Sequence, residues 1–219
     1  NDSLKGKKIG IPMEFLADGI DPEIKSALQM AAKEFEKMGA EIIDVSIPFI
    51  KHAISIYYMI SASETSSNLG RYDGIRYGTS RKDFSPETAR RIILGTYALS
   101  AGYADELYNN AQKARTILID DYDKAFKKCD VFLGPITPML PPKIGELSNP
   151  LQNMLADLFT ATINIVGVPS LAIPAGFSKN NLPIGVQIIG KKFRESEILN
   201  FGHKYQQVTD WHTKKPNIK

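Results

Sequence analysis

Along its first fifty residues the chain alternates between two hydrophobic periods. The short apolar run Lys7-Lys8-Ile9-Gly10-Ile11-Pro12 predicts a strand that proline stops. Asp21-Pro22-Glu23 then offers a helix cap followed by a proline suited to the first turn. Ile24, Leu28, Ala31, Phe35 and Met38 recur at helical spacing on one face, and Gly39 is placed to end the helix. Glu41-Ile42-Ile43-Asp44-Val45-Ser46-Ile47 returns to strand. The segment reads as a β-α-β unit, and its apolar stripe needs only a sheet to pack on.

A helix from about Lys51 to Leu69 follows, then a glycine-rich turn from Gly70 to Gly78, and a new helix announced by Ser85-Pro86-Glu87. Two long helices come next. The second carries Leu107, Ala111, Ala114, Leu118, Tyr122 and Ala125 on one side. Its other side, with Asn110, Lys113, Asp120, Lys124 and Lys127, reads as a solvated face. Val131-Phe132-Leu133 has the character of a buried strand, and it runs into Gly134-Pro135-Ile136-Thr137-Pro138 and Pro141-Pro142, a rigid wall. A helix near Leu151–Ile163, strands at Ser170–Pro174 and Ile184–Ile189 joined through Lys179-Asn180-Asn181, and a helix after Ser196 complete an α/β pattern without internal repeats.

With 219 residues, 43% of them hydrophobic, the chain can bury a substantial core, so general disorder is excluded and one domain, or one large and one small lobe, is expected. Lys+Arg 27 against Asp+Glu 24 leaves a net charge of +3, without the basic balance of a nucleic-acid binder. A single cysteine, Cys129, permits no internal disulfide. With no apolar run of membrane-spanning length and no apolar signal core at Asn1-Asp2-Ser3, a cytoplasmic location is expected. The missing initiator Met favours a piece of a longer chain.

Nucleophilic machinery is not visible. There is no Gly-x-Ser-x-Gly elbow, Gly-Ser-Ser-Gly-type loop or phosphate-cradling loop. His52, His203 and His212 lack metal-ligand spacing, and Ser61, Ser63, Ser66 and Ser67 fall inside a helix, where hydroxyls bond back to the preceding turn. Three other residues look costly where they stand. Arg91 shares its row with Gly95, Ala98 and Gly102, small residues rather than carboxylate partners. Asp157 lies among Leu155, Leu158, Phe159 and Ile163, where an unpaired carboxylate is penalised by desolvation. Tyr57 shares a polar row with Ser61, Glu64 and Asn68.

A guanidinium, a carboxylate and a phenol are the minimal equipment for holding a free amino acid: the arginine fork matches an α-carboxylate, and the aspartate accepts from an α-ammonium. The alternatives are a surface arginine, an aspartate favoured by a helix dipole and a half-buried tyrosine.

Several segments resemble the second half of the amidase-signature enzymes, and among these the glutaminase subunits of tRNA-dependent amidotransferases. They are Leu4 to Pro12, Tyr57-Tyr58 through Glu64 to Leu69, Arg71 to Gly78, Arg90-Arg91-Ile92 with Leu94 to Ser100, Asp130 with Gly134-Pro135, Thr137 and Pro138, Asp157 with Asn164, Gly167 and Pro169, and Pro183 to Gly190. Each match is short, and their order along the chain carries the specificity.

The resemblance implies a mixed β-sheet covered by helices, of which 1–219 would be a single partial domain, the C-terminal portion. It implies a ligase of protein biosynthesis that releases ammonia from glutamine and converts Glu-tRNA(Gln) to Gln-tRNA(Gln). That enzyme would be a heterotrimer with subunits B and C, with tRNA met through the complex. No cofactor is expected in this chain, and ATP and Mg would act at the partner subunit.

The family's catalytic Ser, Ser and Lys would lie upstream of the matched stretch, so this chain alone is expected to be inactive. By the same resemblance, Tyr57, Arg91 and Asp157 would grip the donor glutamine. One departure is the short segment Thr79 to Ala89, where family members are longer, and it leaves open the choice between Arg90 and Arg91. Two other readings remain: a general amide hydrolase of the same superfamily, and a non-catalytic piece that binds glutamine or another protein of the complex. Such a chain is also expected to leave an apolar sheet face or edge uncovered.

Overall fold

The computed structural model describes residues 3–74, 76–146 and 150–216. Asn1 and Asp2 at the N-terminus and Ile75 in the glycine-rich turn lie outside the described residues. The elements in chain order are β1 (Lys8–Pro12), α1 (Pro22–Lys37), β2 (Glu41–Val45), α2 (Ala53–Leu69), α3 (Pro86–Ala98), α4 (Asn110–Phe126) and β3 (Val131–Pro135). There follow α5 (Pro150–Ala156), α6 (Leu158–Val166), β4 (Ser170–Phe177), β5 (Pro183–Gly190) and α7 (Glu195–Val208).

The α1 boundaries follow from local chemistry. Asp21 caps the helix by accepting from the Glu23 amide at 2.7 Å, and Gly39 leaves it with φ +94°, a region that glycine enters without strain. The β-α-β unit is present as expected, with β1 and β2 parallel.

The five strands run in the order β2-β1-β3-β5-β4. β1 also pairs in parallel with β3, whereas β5 is antiparallel to both β3 and β4, so the sheet is mixed. Alternation along β3 divides the core. Val131 and Leu133 face a cluster built with Leu28 and Phe35 of α1 and Phe201 and Tyr205 of α7. Phe132 faces the opposite cluster, which holds Ile56 and Ile60 of α2, Leu118 and Tyr122 of α4, and Phe159 and Ile163 of α6. Helices thus cover both faces, giving three layers.

The expectation of an uncovered sheet face is therefore corrected, because α1 and α7 on one side and α2, α4 and α6 on the other close it within this chain. The edge half of that expectation stands: β2 and β4 are both edge strands, although on β4 Pro174 and a register shift between Pro174 and Gly176 interrupt the pairing, devices that blunt an edge. Exposed apolar side chains gather instead on α3, at Ile93, Leu94 and Tyr97.

Two further expectations are revised. The helix read from Leu151 to Ile163 is two helices, α5 and α6, interrupted at Asp157. Its φ and ψ of −85° and 0° place it in the bridge region, and its carbonyl accepts the Ala161 amide at 2.8 Å to start α6. Apolar spacing cannot register such a one-residue break. Likewise α2 begins at Ala53, because Pro48 to His52 wind as a tighter 3-10 turn before it.

Tyr122 is fully buried, edge-on to Phe132 with ring centroids 5.7 Å apart, and its hydroxyl has no hydrogen-bond partner among the described residues. Burial raises its pKa, so the phenol stays neutral. Because an unsatisfied buried polar group costs roughly 1–3 kcal/mol, Tyr122→Phe is expected to stabilise the fold by about 1 kcal/mol. Urea denaturation checks this, and a lower midpoint for the variant would contradict it.

Candidate functional site

Three helical segments meet beside the sheet. α2 brings Tyr57 and Tyr58, the first two turns of α3 bring Glu87, Arg90 and Arg91, and the α5–α6 junction brings Met154 and Asp157. Between them lies a cleft of ≈ 420 Å³ lined by Tyr58, Glu87, Arg90, Arg91, Met154 and Asp157, among others.

The start of α3 is locally specified. Ser85 caps it, accepting from the Thr88 amide at 3.2 Å, and Pro86 follows in the first turn. Its position against α2 depends on Gly95. A Cβ at that position would stand 1.9 Å from the Ala62 carbonyl oxygen, so the two backbones are closer than any side chain permits. Gly95 in the row of Arg91 thus serves helix packing, whereas Gly102 lies beyond the end of α3 and falls outside that row.

The reading of that row as lacking carboxylate partners is corrected as well. Arg91 Nε donates to Glu87 Oε1 at 2.7 Å, one turn back along α3. Arg90 gives its Nε to Glu87 Oε2 at 2.8 Å and its Nη2 to Oε1 at 2.7 Å. The two arginines, which the sequence left undistinguished, are therefore unequal: Arg90 spends a two-pronged edge on Glu87, whereas Arg91 gives that carboxylate only Nε.

These bonds hold the Glu87 carboxyl down at about 2, Arg90 contributing most and Arg91 next. Their stabilising contribution is therefore complete above the ordinary carboxylate value and is lost as pH falls through about 2. Glu87 is half exposed, so its main effect is to orient the two guanidinium groups rather than to add stability.

Tyr58 stands between the opposite charges. Its Oη donates to Asp157 Oδ2 at 3.1 Å, and the Arg91 Cζ lies 5.5 Å from its ring centroid. Burial, followed by the bond to Asp157, pushes the phenol up to about 12. Tyr57 lies behind Tyr58, edge-on at 5.2 Å, and packs against the core. The Arg91 guanidinium sits above its ordinary pKa, chiefly through Glu87, opposed by desolvation, with a hydrogen bond to Tyr57 also raising it.

Of the three residues singled out from sequence, Arg91 and Asp157 line one cleft, while Tyr57 is not part of the lining. Two residues escaped the sequence reading. Glu87 was detectable as an ion-pair partner three and four residues before the arginines. Tyr58 gave no signal beyond its place next to Tyr57, since which of two adjacent tyrosines meets a distant carboxylate depends on helix rotation.

The arrangement can neutralise a carboxylate at one end and an ammonium at the other. It holds no nucleophile: none of the lining residues is a serine, cysteine or lysine. The helix serines behave as anticipated in part, with Ser63 donating to the Met59 carbonyl at 2.8 Å and Ser66 to that of Ser63 at 2.9 Å. A larger cleft of ≈ 600 Å³ lies between α1 and the end of α7, but Glu34 and Asp210 there are already paired with Lys37 and Lys214.

The family model described as Amidase matches residues 1–199. The A subunit of the glutamyl-tRNA(Gln) amidotransferase from Alkalilimnicola ehrlichii is 45% identical over 232 aligned positions, covering 99% of this chain and 48% of that protein. The equivalent protein from Desulfatibacillum aliphaticivorans, of the same name, is 43% identical, with 99% and 48% covered. The chain spans about half the length of the curated relatives it matches.

Among solved structures, the A subunit of the glutamyl-tRNA(Gln) amidotransferase from Thermotoga maritima superposes with a TM-score of 0.77 at 33% identity, over 95% of this chain and 44% of that one. A 6-aminohexanoate cyclic dimer hydrolase at 19% identity, TM-score 0.81, shares the fold over 99% of this chain and 47% of its own.

Proposed function

This chain belongs to the amidase family, and we propose that it is the glutamine-gripping portion of the A subunit of a glutamyl-tRNA(Gln) amidotransferase. In that role it would act with subunits B and C, which use ATP and Mg, so that ammonia from glutamine converts Glu-tRNA(Gln) to Gln-tRNA(Gln). The relatives' names support the reading at the level of the complex. At the level of chemistry it rests on one observation: a guanidinium and a carboxylate, Arg91 and Asp157, line the same cleft.

Arg91 takes the α-carboxylate of glutamine, since a planar fork matches two oxygens and only its Nε is engaged by Glu87. Asp157 takes the α-ammonium. Tyr57 completes the grip by backing Tyr58, edge-on at 5.2 Å. Holding the head group at both charges leaves the carboxamide end for the nucleophile, which the family's serines and lysine supply and the lining of this cleft does not. The charge pair argues against a general amide hydrolase, because an apolar amide has no carboxylate or ammonium to neutralise.

Calorimetric titration of the 219-residue chain with L-glutamine is expected to show saturable binding, with no ammonia release above a no-protein control. Absence of saturable binding would overturn the head-group assignment. Turnover by this chain would overturn the placement of the nucleophile elsewhere.

A further inference from the structure

Tyr58 is a residue through which the two charged ends of the cleft are mechanically connected. Its ring lies beneath the Arg91 guanidinium, 5.5 Å from centroid to Cζ, and its hydroxyl holds Asp157 Oδ2 at 3.1 Å. Opposite charges facing one small cleft would otherwise be drawn together into a direct ion pair, which would fill the space meant for a guest. Here Arg91 pairs with Glu87 instead, on the side of its own helix, and Asp157 is engaged by the phenol whose ring faces Arg91.

A phenol ring is rigid from Cβ to Oη. Its base is held by α2, itself packed against α3 and against α6. Tyr57 meets it edge-on at an interplanar angle of 89°, which blocks rotation on that side.

Taking the cleft as the amino-acid site proposed above, we infer that Tyr58 is a specificity-determining positioning residue: it sets the distance between Arg91 and Asp157 and thereby restricts the cleft to α-amino acids, rejecting homologues whose ammonium and carboxylate are one carbon further apart. An added C–C bond lengthens the head group by up to about 1.5 Å. Productive polar contacts tolerate displacements of only about 0.5 Å. With the spacing held by a ring, a β-amino acid satisfies one charge and leaves the other unmet.

The test is titration of the wild-type chain, Tyr58→Phe and Tyr58→Leu with L-glutamine and with L-β-homoglutamine, alongside circular dichroism to compare folding. Wild type is expected to prefer L-glutamine by at least roughly 30-fold, the size of one charge-assisted hydrogen bond. Tyr58→Phe keeps the ring but releases Asp157, and should weaken L-glutamine by about 10-fold. Tyr58→Leu removes the spacer, and the preference should fall to within about 3-fold.

Undiminished preference in folded Tyr58→Leu, or undiminished affinity for L-glutamine in Tyr58→Phe should the leucine variant fail to fold, would overturn the inference. Equal binding of both compounds by wild type would overturn it too. Absence of any glutamine binding by wild type would instead sink the reading of the cleft, and this inference with it.

Discussion

Replacing Asp157 with asparagine should weaken L-glutamine binding by roughly 30- to 150-fold, about 2–3 kcal/mol, the loss expected when a charge-assisted hydrogen bond becomes a neutral one beside an ammonium. Asparagine keeps the size of the side chain and an oxygen to accept from Tyr58 Oη, so the junction between α5 and α6 should survive. Arg91→Lys should cost about 10-fold, because the ammonium keeps the charge but loses the planar fork. Calorimetric titration of the two variants measures both effects. In an assembled amidotransferase the same Asp157→Asn change should lower glutamine-dependent product while free ammonia still serves as donor. Equal loss with both donors would mean that the substitution damages the fold and not the grip.

Gly95→Ala should destabilise the chain by about 3 kcal/mol, at the upper end of the usual cost of overpacking. The new methyl would sit 1.9 Å from the Ala62 carbonyl oxygen and 2.5 Å from its carbon. Both are backbone atoms, so no rotamer change relieves the clash and α3 must move off α2. In a domain of this size such a loss lowers the thermal midpoint by about 6–12 °C.

Helix propensity alone predicts the opposite sign, a gain of about 1 kcal/mol for alanine over glycine, so the direction of the shift distinguishes the two effects. Since Arg91 is carried one turn before Gly95 while Tyr58 belongs to α2, the displacement should also weaken glutamine binding. An unchanged midpoint, read by differential scanning calorimetry, would show that the helices are not in the tight register described.

Much of this architecture was legible residue by residue. The cap and proline at Asp21-Pro22, the glycine after α1, the alternation of Val131, Phe132 and Leu133 and the Ser85-Pro86 start of α3 all act within a few positions of themselves, and each produced the element expected. Those signals report backbone hydrogen bonding and the face a short segment must bury, both of which are local quantities. The strand order was not readable in the same way. The antiparallel return of β5 between β3 and β4 joins residues more than fifty positions apart, such as Val131 and Gly190.

The cleft divides along the same line. That Arg91 and Asp157 would be expensive if left unpaired could be argued from their immediate neighbours, since desolvation depends on what surrounds a charge. That they share a cleft, that Tyr58 and not Tyr57 touches both, and that Glu87 engages Arg90 more fully than Arg91 are relations among three helical segments. Such relations arise from how closely α3 approaches α2 at Gly95 and from the break in the backbone at Asp157, which turn those side chains toward one another. Periodicity within a helix specifies which face is apolar. The distance and rotation between helices come from side-chain packing across the interface, and that exists only once the chain has folded.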